Sequence, residues 1–106
     1  MTDRELLERA AKAAGMEVLW LPAAPGRRAM FWTSKTGEWN PLTDDSDALR
    51  LAVKLRLVIQ HAPKYVVVMD VAREIAEHQD TRENDGDPYV STRRAIVRAA
   101  AEMCSD

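Results

Sequence analysis

Three guanidinium groups crowd one stretch of the chain. Arg93, Arg94 and Arg98 follow one another with no acid after them until Glu102. A guanidinium grips phosphate through paired N–H donors. If these three converge, alone or with Arg27 and Arg28, they make a contact for nucleic acid or a nucleotide. The competing reading is a solvated face that answers the aspartates of the preceding loop. Trp39 stands just before Asn40-Pro41 and has two readings as well. It plugs the join between a sheet and a helix, or it is an exposed anchor for a partner, as tryptophans often are. Arg93, Arg94, Arg98 and Trp39 are therefore the candidate partner or phosphate contacts.

Other chemistries find less support. His61, His78 and Cys104 are spread widely along the chain. A zinc site needs three or four such ligands at short spacings. Asn84-Asp85-Gly86 faintly suggests a calcium loop. Counted back from Gly86, however, that pattern asks for oxygen ligands where Thr81 and Glu83 stand and for a glutamate where Thr92 stands. The match fails, and no metal is expected. No serine sits in a Gly-x-Ser-x-Gly elbow, and only four glycines are present, none in a phosphate-cradling pattern. Cys104 is too near the carboxyl end for a fold to wrap it. Asp44, Asp45 and Asp47 read more cheaply as helix-start charge than as an acid cluster. The expectation is a protein that is not an enzyme and uses no cofactor.

The bulk numbers agree with a small folded module. The chain has 106 residues, 46% hydrophobic and 30% charged, which fits a single domain over residues 1–106. Fifteen basic against 17 acidic residues give a net charge of −2. That balance disfavours binding of nucleic acid by bulk charge, which wants a basic domain. A lone cysteine rules out an internal disulfide framework and fits a reducing compartment. The opening Met1-Thr2-Asp3-Arg4-Glu5 is polar, with no apolar segment behind it. The longest apolar run, Tyr65-Val66-Val67-Val68-Met69, is far short of the about 20 residues that cross a membrane. A cytoplasmic protein without membrane contact is expected.

The elements that must position these side chains are signalled locally. Thr2-Asp3-Arg4-Glu5 is a capping box, and Leu6, Leu7, Ala10, Ala11 and Ala14 form a helical stripe that Gly15 ends. Residues 17–21 and 29–33 read as two strands of a hairpin across the Pro22–Gly26 loop, with a turn at 34–37. Trp39 and its neighbours then lead as a loop into a second helix, capped by Thr43 or Asp44 and buried along Ala48, Leu51, Ala52 and Leu55. Residues 57–61 and 65–69 read as strands around Ala62-Pro63-Lys64. The apolar positions at 71, 72, 75 and 76 fit a helix over 71–78 by period, though no good cap precedes them. A polar loop at 80–87 ends at Asp87-Pro88, which opens the final helix with Ile96, Ala99, Ala100 and Met103 inward.

Two long motifs carry a resemblance. Residues 39–55, Trp39-Asn40-Pro41-Leu42-Thr43-Asp44-Asp45 onward, and residues 87–102, Asp87-Pro88-Tyr89-Val90-Ser91-Thr92-Arg93-Arg94 onward, resemble the hallmarks of the phage ABA-sandwich domain family. The opening Thr2–Leu7 and Ala10–Gly15 are similar to it too, so about half the chain is covered. The resemblance implies an α+β single domain, an α-β-α sandwich in which one antiparallel sheet of about four to five strands has helices packed on both faces. It also implies that the segment around Arg73–His78 is a last strand rather than a helix. The family has no established activity, so no catalytic or binding residue is carried over. The expectation is a small, non-enzymatic phage or prophage accessory protein in the host bacterial cytoplasm. It would act by binding a protein partner or a second copy, with nucleic acid through the arginine face as the alternative.

Overall fold

The computed structural model describes residues 1–104. Helix α1 spans Asp3–Ala13 and opens on the expected capping box. The Thr2 hydroxyl accepts the Glu5 N–H at 3.1 Å, and the Glu5 carboxylate accepts the Thr2 N–H at 3.4 Å. Arg4 and Glu8 pair one turn apart on the outer face. The Arg4 guanidinium also lies over the Trp20 ring, 4.3 Å from its centre.

Strands β1 (Leu19–Leu21), β2 (Met30–Thr33) and β3 (Gly37–Trp39) form a first antiparallel sheet in chain order. The hairpin of β1 and β2 is as expected. Strand β3 lies where the sequence reads as a turn and a loop. Gly37 makes it possible: its φ of 86° is open to glycine, and an added Cβ would meet the Trp32 ring at 3.5 Å.

Pro41 and the cap Asp44 then turn the chain straight into α2 (Asp45–Leu55). The Asp44 side chain accepts the Asp47 N–H at 2.9 Å. Arg56 ends the helix in the left-handed region (φ 56°), and the Leu57 N–H returns to the Ala52 carbonyl at 3.0 Å. This reversal launches β4 (Val58–His61), which pairs with β5 (Tyr65–Asp70), which pairs with β6 (Ile75–Asp80). The three make a second antiparallel sheet.

Strand β6 settles the segment whose period fits a helix. The Asp70 carboxylate accepts the N–H groups of Ala72 and Arg73 and pairs with the Arg73 guanidinium at 2.7 Å. A side-chain acceptor of this kind offers the backbone a turn in place of a helix. The chain turns over residues 71–74, and residues 75–80 alternate along β5. The loop that follows holds a short 3₁₀ turn, Thr81–Asn84, before α3 (Pro88–Glu102), whose cap Asp87 accepts the N–H groups of Tyr89 and Val90.

Helix α3 is the centre of the fold. It packs against α1, α2, β5 and β6. Ser91, Ala95, Val97, Ala99 and Ala100 on it are completely buried. The small side chains let these four neighbours approach one helix closely. The α+β class and the antiparallel pairing are as expected. The single sheet of four to five strands is not: among the described residues six strands form two sheets, β1–β3 before α2 and β4–β6 after it. Nor does the second sheet carry helices on both faces. Val66 and Val68 point inward toward α3 and are buried, while Val58 and Tyr65 on the opposite face are 41% and 42% exposed.

Candidate partner-binding groove

The edge of the second sheet is open at β4. The Ala62 N–H donates to the Tyr65 carbonyl at 2.9 Å and closes the β4–β5 hairpin. Hydrogen-bonded pairs alternate along an antiparallel ladder. The bonded pairs are therefore Gln60 with Val67 and Val58 with Met69, and the N–H and C=O groups of Ile59 and His61 point away from β5. No charged residue lies in β4. A neutral, unpaired edge is a ready template for another strand.

The side chains of the same two residues face α3. Beside them, between α2, β4 and the start of α3, runs an open groove of about 520 Å³. Ala48, Leu49, Ile59, Pro88, Tyr89 and Ile96 give it apolar walls, and Asp45, His61, Thr92 and Arg93 add polar groups. Leu49 and Tyr89 on its walls are 61% and 66% exposed, and Val53, one turn beyond Leu49, is 67% exposed. Leu49 and Tyr89 are thus large apolar side chains left in water on one concave surface, with Val53 exposed on the same helix as Leu49. Sequence reasoning passed over them. The one available signal was that Leu49 and Val53 lie off the buried stripe of α2.

The arginines do not converge. Arg93 is 16% exposed; its Nε donates to the Leu42 carbonyl at 2.9 Å and its Nη1 to the Asp45 carboxylate. It braces α3 against α2. Arg94 faces α1 and reaches Asp3 at 3.3 Å. Arg98 turns toward Glu77 of β6. Each guanidinium is thus directed at a different neighbour. Arg27 donates to the Pro22 carbonyl and Arg28 pairs with Glu38, both in the first sheet and its loop.

Trp39 corrects one expectation. It is 3% exposed and lies in the hydrophobic core, so it plugs the join and offers a partner nothing. Its neighbours explain the motif around it. The Asn40 N–H donates to Asp47 at 2.9 Å, and the Asn40 side chain accepts the Leu42 N–H at 3.0 Å. Asp44 caps α2, Asp45 holds Arg93 and Asp47 holds Asn40, so the three aspartates serve three different contacts. Among the described residues, no three His, Cys, Asp or Glu side chains come together as metal ligands. His78 stacks on Tyr65 at 4.8 Å on the outer sheet face, away from the groove. Cys104 is buried at the end of α3.

No family model, curated protein or solved structure matches the chain.

Proposed function

We propose that the chain is a non-enzymatic binding module that takes up an extended segment of a protein partner along the edge of β4. The observation that carries this reading is a coincidence of two features at Ile59 and His61. Their backbone groups are the unpaired edge, and their side chains line the apolar groove beside it. Strand addition uses both: main-chain bonds give affinity, and pockets for alternate side chains give selectivity. The reading favours protein over nucleic acid because the arginines are already directed at acids or carbonyls. The motifs that resemble the phage family form two walls of the groove, and on that resemblance the module is read as a phage accessory protein in the host cytoplasm.

The test uses peptides about six residues long that alternate Leu or Val with Thr, the length and pattern of a typical strand. Titrated into the isotope-labelled chain, they should shift the amide signals of Ile59, His61 and Tyr89. Leu49→Arg should weaken binding about tenfold or more while circular dichroism stays unchanged, since Leu49 is an exposed wall of the groove. Unmoved amide signals at Ile59 and His61, or equal binding by the variant, would sink the proposal.

A further inference from the structure

A second cavity, about 290 Å³, lies where α1, α3 and β6 meet, and two carboxyl groups, Glu77 and Glu102, line it. Glu77 belongs to the inward-facing row of β6 with Ile75 and Gln79. Glu102 is the last residue of α3, where unpaired carbonyls already make the helix end negative. The two side chains lie within hydrogen-bonding reach. Two carboxylates cannot donate to each other, so a direct hydrogen bond between them needs a proton on one of the two.

We propose that Glu77 and Glu102 form a proton-held latch that fastens the last turn of α3 to β6 and releases it as the pair loses its shared proton.

The surroundings act on the pair in both directions. From α3, Arg98 attracts the Glu77 charge, and its Nε is buried with no hydrogen-bond partner among the described residues. From α1, Arg9 lines the same cavity and donates to the Cys104 carbonyl at 3.2 Å, just past the helix end. Met1 also lines the cavity. From β5, Val68 stands opposite Glu77, and Asp70 farther along is occupied by Arg73. Burial, and then the neighbouring Glu102 carboxyl, push Glu77 up to about 7 against the partial opposition of Arg98. The folded chain therefore keeps a proton that the unfolded chain releases. The pair's contribution to stability is full below the ordinary value of 4.5 and is lost as pH rises from there to about 7.

The experiment follows the carboxyl carbon signals of both glutamates from acid to alkaline pH, together with amide hydrogen exchange in the last turn of α3, corrected for intrinsic rates. Glu77 should titrate near neutrality. Protection of the Glu102 and Cys104 amides should fall by roughly tenfold or more across that step, since each pKa unit of the rise is worth a factor of about ten. In Glu77→Gln the step should vanish. In Glu102→Gln, at an exposed position where folding is not at risk, Glu77 should fall part of the way toward the ordinary glutamate range, burial holding the rest of its rise. Ordinary titration of Glu77 in the parent chain, or the same fall in protection in Glu102→Gln, would overturn the latch.

Discussion

Asp47 joins two elements with one carboxylate. One oxygen accepts the Asn40 N–H at the end of β3, the other lies 3.7 Å from Arg50, and the residue is 7% exposed. Asp47→Ala would strand the Asn40 N–H without a partner. The expected loss is about 2 kcal/mol, read from the urea midpoint at constant slope. Asp47→Asn, which keeps an acceptor, should lose less. The importance of this residue was half legible. Its position in the first turn of α2 reads directly from sequence as favourable helix-start charge. The bond back to Asn40 does not, because it depends on β3 arriving beside the helix. Trp39 is the same case: the sequence leaves plug and anchor both open, and only its burial in the core decides for the plug.

Helix ends were the most legible elements, since their chemistry lies within three or four residues. Thr2 with Glu5, Asp44 and Asp87 with Pro88 all cap where their spacing says they should. Strand β6, which the resemblance implied, was hidden from the periodicity because its apolar spacing mimics a helix and the Asp70 turn before it acts through a side chain. The end of α2 breaks a rule. A left-handed residue after a helix is usually glycine, yet Arg56 holds that place with φ 56° and ψ 45°. Arg56→Gly should relieve the strain and raise the thermal midpoint, by a stabilisation of up to about 1 kcal/mol. No loss of fold is expected, because Arg56 is exposed. An unchanged or lowered midpoint would mean that the Arg56 side chain contributes more than its backbone costs.

The molecule as a whole is organised around α3, and its alanines set how near everything else can come. Ala99 and Ala100 have no exposed surface. Ala100→Leu would force side chains or backbone aside and should cost about 1–3 kcal/mol. Calorimetry would detect it as a lowered midpoint, whereas the same change at the exposed Lys54 should be nearly silent. The alanine stripe of α3 was visible in the sequence. The division of six strands into two sheets was not: every pairing among the described residues joins neighbours in the chain, and no local pattern says that β3 and β4, on either side of α2, do not share a sheet. The groove was invisible for the same reason: its walls come from α2, β4 and α3, and no local pattern announces that they leave a gap.

All three tryptophans belong to the first sheet: Trp20 in β1, Trp32 in β2 and Trp39 in β3. The second sheet and α3 contain none. Intrinsic fluorescence of this protein is therefore a reporter on one half only. Trp39 supplies a shielded emitter and Trp32, 45% exposed, one within reach of a soluble quencher. A spectroscopist following emission alone would watch the β1–β3 layer detach and would be blind to fraying of the β4 edge, the very border to which a guest strand would be added.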